Sequence, residues 1–88
     1  MLKRTITLTN PSGLHARPAA ILVSLANSFT SDITIQYRDK TANAKSILSV
    51  LSLGASQGAI LDIAVTGRDE ASAVDTLLSA FSRNLEEI

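Results

Sequence analysis

The segment Gly13-Leu14-His15-Ala16-Arg17-Pro18-Ala19 sets a nitrogen nucleophile, a guanidinium and the expected start of a helix within a few residues of one another. Each has a separate use for phosphate. An imidazole, whose ordinary pKa is about 6.5, offers an unprotonated ring nitrogen near neutral pH and can attack phosphorus. At a helix start the amides of Ala16 and Arg17 lack intrahelical acceptors and sit at the positive end of the helix dipole, where phosphoryl oxygens are stabilised. Arg17 can add charge-assisted hydrogen bonds. The small Ala16, Ala19 and Ala20 leave room for another protein's active site. The segment carries no carboxylate to activate water, which favours storing a phosphoryl group over hydrolysing it.

A second cluster begins at Ser46, which precedes the apolar run Ile47, Leu48, Val50, Leu51 and Leu53 and the closing Gly54. Locally Ser46 reads as an N-cap, accepting a hydrogen bond from a backbone amide. In so short a helix at most two of Ile47, Leu48 and Leu51 can point inward, leaving another exposed. Arg17 and Lys45 are the cations expected nearby. Tyr37 reads as a strand residue with a wet hydroxyl, Phe29 and Phe81 as core, and Glu86-Glu87 as solvated at a frayed terminus.

The elements that must position these residues follow from hydrophobic periodicity. Leu2, Ile6 and Leu8 alternate with Lys3, Thr5, Thr7 and Thr9, predicting a strand with one wet face over 2–9. After the turn cluster Asn10-Pro11-Ser12-Gly13, Ala19, Leu22, Val23 and Ala26 predict a helix from about Ala16 to Asn27, with Pro18 in the first turn and His15 at its entry. Ile33, Ile35 and Tyr37 give a second strand. Arg38-Asp39-Lys40 turns it into a short third strand at Thr41 to Asn43, and the run from Ser46 to Leu53 is a short docked helix. Leu61, Ile63 and Val65 give a fourth strand. Asp69 then caps a last helix with Ala71, Val74, Leu78, Phe81 and Leu85 on one stripe. The order β-α-β-β-α-β-α implies an α+β two-layer sandwich in a split βαβ arrangement.

Composition narrows the function. The 88 residues leave room for one core, so a single domain over 1–88 is expected. Eight basic and eight acidic residues cancel, and no strong field attracts nucleic acid or a membrane surface. Without cysteine and with one histidine there is no disulfide framework and no ligand cluster, so neither a metal nor another cofactor is expected. The longest nearly apolar stretch, Pro18 to Leu25, falls far short of the roughly 20 residues of a membrane span. The first residues show no apolar targeting region, and a cytoplasmic location is expected.

A lone histidine at a helix start is commonly a cap or a surface residue; the string around His15 is what singles it out. Gly-Leu-His-Ala-Arg-Pro-Ala closely resembles the active-site signature of the HPr family, and the resemblance extends over essentially the whole chain, including Lys45-Ser46-Ile47 and Ser52-Leu53-Gly54. It implies an open-faced two-layer sandwich, a four-stranded antiparallel sheet with three helices on one face. It also implies a stoichiometric carrier in a sugar phosphotransferase relay, not a turnover enzyme. Enzyme I would phosphorylate His15 at Nδ1, Arg17 would assist transfer, and enzyme IIA domains would take the group onward. By the same resemblance Ser46 matches the target of HPr kinase/phosphorylase, with a transcription regulator as a further partner. Ala20, Ile47, Leu48 and Leu51 become docking residues on a monomer. Two competing readings share the fold: a nitrogen-related regulatory paralogue, and a catabolite-repression relative that keeps the serine but lacks the histidine. His15 argues against the second.

Overall fold

Alternating and helical patterns resolve into β1 (Leu2–Thr7), α1 (Ala16–Asn27), β2 (Asp32–Tyr37), β3 (Lys40–Asn43), α2 (Ile47–Leu51), β4 (Ile60–Thr66) and α3 (Glu70–Ser82) in a computed structural model, which describes residues 1–86. The strands form one sheet in the order β1-β4-β2-β3, with every neighbouring pair antiparallel. β4 is thus inserted between β1 and the β2–β3 hairpin, the split arrangement that the element order implied. Register follows the apolar pattern: Ile33 lies opposite Val65, and Ile35 opposite Ile63. A slip by one residue would turn this whole set to solvent. Ile33, Ile35, Leu61, Ile63 and Val65 are buried beneath Leu22 of α1, Val50 of α2 and Leu77 and Phe81 of α3. Thr34, Gln36 and Asp62 on the other face are exposed, so the sandwich is open on that side.

Several boundaries and facings differ from the periodicity reading. β1 stops at Thr7; Leu8 is buried and bonds to the segment before β4, its N–H to Ala59 O at 2.8 Å and its carbonyl from Gly58 N–H at 2.7 Å. The buried face of α3 is Ala73, Val74, Leu77, Ala80 and Phe81, whereas Ala71 is exposed and Leu78 only half-buried. Leu85, the last residue of the expected stripe, lies beyond the helix. It reaches the core through a tight turn in which Asn84 and Leu85 adopt φ of 59° and 52° and Leu85 N–H bonds to Ala80 O at 2.9 Å. Phe81 is core as expected, while Phe29 packs half-buried against the core edge. Tyr37 is half-buried, with the Arg38 guanidinium 5.0 Å from its ring centre. Glu86 is exposed, and Glu87 lies outside the described residues.

Asp69 stands at the N-cap position of α3, but its side chain caps nothing in that helix. Its carboxylate instead accepts the amides of Thr30 (2.9 Å) and Ser31 (3.0 Å) and the Ser31 hydroxyl, tying α3 to the start of β2. Those bonds, the hydroxyl's first and the Thr30 amide's next, lower its pKa to about 2. Glu70, the first residue of α3, accepts Gly67 N–H on Oε1 at 3.0 Å and so closes the turn that leads into the helix. Gly67 approaches Ser31 so closely that a Cβ would stand 2.7 Å from the Ser31 Cα, so no other residue fits there.

Candidate functional site

His15 is the N-cap of α1, with extended backbone (φ −86°, ψ −170°) and a carbonyl that accepts Ala19 N–H at 2.8 Å. Its side chain makes no capping bond and is exposed. The first-turn amides therefore keep their capacity for an anion. No acidic residue occupies that turn. Arg17 and Ala16 are exposed beside His15, as is Ala20 one turn on, whereas Ala19 is fully buried and anchors α1. His15 and Arg17 are thus both exposed at the start of α1.

What holds this junction is the loop from β1. Gly13 has φ +63°, and a Cβ there would meet Ala55 O at 2.5 Å and Ser56 Cα at 2.7 Å, so the glycine permits both the turn and the close packing. Gly13 N–H bonds to Asn10 O at 3.0 Å, and Leu14, itself buried, donates to Ala55 O at 3.0 Å. The Asn10 side chain donates to Gly13 O. Periodicity read Asn10 only as part of a turn cluster. Asn10 is buried, and next to it Thr9 Oγ1 donates to Asn84 Oδ1 in the turn after α3.

Ser46 caps α2 as its position implied: the backbone is extended, and Oγ accepts Ser49 N–H at 3.3 Å. Ile47, Leu48 and Leu51 are all exposed, Leu48 at 77%, because Val50 and Leu53 fill the core in their place. None of the three turns inward. α2 packs against α1, and the two are tied by Asn27 Nδ2 donating to Lys45 O at 3.1 Å and Lys45 Nζ donating to Phe29 O at 2.8 Å. Lys45 is therefore not a free cation: its ammonium is held at the end of α1, and Arg17 is the exposed one of the expected pair. The exposed apolar side chains of α2 and Ala20 of α1 thus belong to two helices packed side by side.

Among the described residues no three His, Cys, Asp or Glu side chains cluster as metal ligands, and no helix is long and apolar enough to cross a membrane. A family model described as "PTS HPr component phosphorylation site" matches residues 2–83. The chain is similar to HPr-C-His from Thermoanaerobacter tengcongensis, with 42% identity over 100% of both chains and a TM-score of 0.92. It is also similar to a histidine-containing phosphocarrier protein of Mycoplasma, with 33% identity over 96% of this chain and 97% of that one and a TM-score of 0.89. Crh, the catabolite repression protein of Bacillus subtilis, described as an intertwined dimer with a swapping domain, matches at 36% identity over 96% and 97% of the two chains with a TM-score of 0.75. The fold, the coverage and the matched phosphorylation-site model agree, and the chain belongs to the HPr family of phosphocarriers of the phosphotransferase system.

Proposed function

We propose that this chain is a cytoplasmic phosphocarrier, folded as one HPr domain, that accepts a phosphoryl group on Nδ1 of His15 from enzyme I and passes it to enzyme IIA domains during sugar uptake. The observation that supports this most is His15 itself: an exposed, uncapped imidazole at a helix N-terminus in a chain of the HPr family. The Nδ1 lone pair attacks phosphorus as the donor's bond to phosphorus breaks, and the ring proton stays on Nε2. Negative charge on the phosphoryl oxygens is met by the amides of Ala16 and Arg17 and by the Arg17 guanidinium. Transfer to enzyme IIA reverses these roles. Ala20, Ile47, Leu48 and Leu51 form the apolar surface on which both partners dock, without a metal or other cofactor.

Ser46 is a regulatory site for HPr kinase/phosphorylase in this reading, and the modified form is what a transcription regulator would bind. A phosphate at Ser46 would add about −1.5 to −2 charges next to exposed Ile47 and Leu48, where the apolar surface must be covered. The test of the main reading is incubation with enzyme I and phosphoenolpyruvate, followed by intact mass measurement before and after acid. One acid-labile phosphoryl group is expected, absent from His15→Ala although that variant keeps its circular dichroism spectrum. An acid-stable product, or labelling that survives in His15→Ala, would overturn the assignment.

A further inference from the structure

Asn10 is 3% exposed, one of two buried polar residues among the described residues; the other, Ser31, is tied to Asp69. Its carboxamide is used on one side only: Nδ2 donates to Gly13 O, while Oδ1 is buried with no partner among the described residues. A buried amide oxygen without a partner is destabilising, so for packing alone a hydrocarbon of this size would serve position 10 better. What a hydrocarbon cannot do is hold the Gly13 carbonyl. That carbonyl belongs to the same rigid peptide plane as the Leu14 N–H, which donates to Ala55 O at 3.0 Å. The plane is thus pinned at both ends, its C=O by Asn10 and its N–H by Ala55. Only buried Leu14 separates it from His15.

We infer that Asn10 is a positioning residue for phosphoryl transfer: by pinning the Gly13–Leu14 peptide it fixes the direction from which His15 meets the donor's phosphorus. With the carbonyl released, rotation of this plane swings the Cα of His15 and the first amides of α1 that must face the same phosphoryl group. Misplacing a reacting atom by about an ångström can cost on the order of 10²-fold in rate. The docking side chains Leu48 and Leu51 lie on a separate helix and are untouched, so the loss falls on turnover and not on partner affinity. Asn10 also lines a cleft with Ser12, Arg17 and Pro18.

The inference rests on His15 as phosphoryl acceptor, and the experiment separates the two. Wild type, Asn10→Ala, Asn10→Asp and, as a control, the core variant Ile35→Val are assayed as substrates of enzyme I, with folding checked by thermal melting. Failure of the wild type to become labelled would sink the acceptor reading itself. With the wild type labelled, both Asn10 variants should show kcat lowered about 10-fold or more with KM within about twofold, while Ile35→Val keeps the wild-type kcat. Unchanged kcat, a rise in KM alone, or an equal fall in Ile35→Val would overturn the positioning role. Should neither Asn10 variant fold, the wild type still decides: its Asn10 Nδ2 protons should exchange slowly by NMR and show scalar coupling to the Gly13 carbonyl carbon. Fast exchange without that coupling would overturn the proposal.

Discussion

At the scale of single residues, the proposed phosphoryl acceptor and the groups that brace the loops around it differ in how far the sequence reveals them. His15 and Arg17 are two positions apart in sequence, and the chemistry proposed for them requires only that a helix begin between them. Asn10 and Asp69 are different, because their partners are set by how chain segments meet. Asp69 has the residue type and the position of an ordinary N-cap, yet its carboxylate binds Thr30 and Ser31, 39 and 38 positions away. No local pattern encodes that choice; it depends on Gly67 letting two backbones come together. For Arg17, which is exposed and has no ion-pair partner among the described residues, Arg17→Ala should slow transfer from enzyme I by about 10²-fold through lost stabilisation of the transition state. Stopped-flow rates equal to wild type would remove Arg17 from the mechanism. The melting temperature should move little, as for most exposed side chains.

Among the elements, α1 was legible to the residue, since twelve residues carry enough turns to fix both its stripe and its ends. α2 was not: five residues make less than two turns, so its inward side chains are decided by what the neighbouring helix and sheet leave unfilled. The core accepts Val50 and Leu53, and three large apolar side chains are left outside. This separates stability from docking in a way that mutants can read. Leu48→Ala should change stability by less than about 0.5 kcal/mol yet raise KM for enzyme I. Ser46→Ala loses a cap and should cost about 0.5–2 kcal/mol of stability with little effect on transfer. Ser46→Asp can still cap but places a charge beside Ile47, so it should melt near wild type and dock poorly, most of all at low ionic strength. If KM for enzyme I in low salt is the same for Ser46→Asp and wild type, charge at this position does not govern docking.

For the molecule as a whole, the tie between α3 and β2 makes folding sensitive to acid. The Asp69 pKa of about 2 lies below the ordinary carboxylate value of about 3.9, so the folded state favours the ionised form. Its contribution is complete above about pH 5 and is lost as protons bind on the way down to pH 2. Glu70 shifts in the same direction, chiefly through the Gly67 amide, and adds to the slope. Urea midpoints of the wild type should therefore fall steeply between pH 5 and 2, and Asp69→Asn, which keeps an acceptor but cannot titrate, should show a shallower fall. Parallel curves would place the acid sensitivity elsewhere. A different consequence follows from the uncovered side of the sheet. In a saturation-mutagenesis library scored for folded protein, tolerance along β2 and β4 should oscillate with a period of two, positions 34, 36 and 62 accepting charged residues while 33, 35, 61, 63 and 65 reject them. Dyes, isotopic probes or added surface charge can then be carried on that face while residues 13–20 and 46–51 stay as they are.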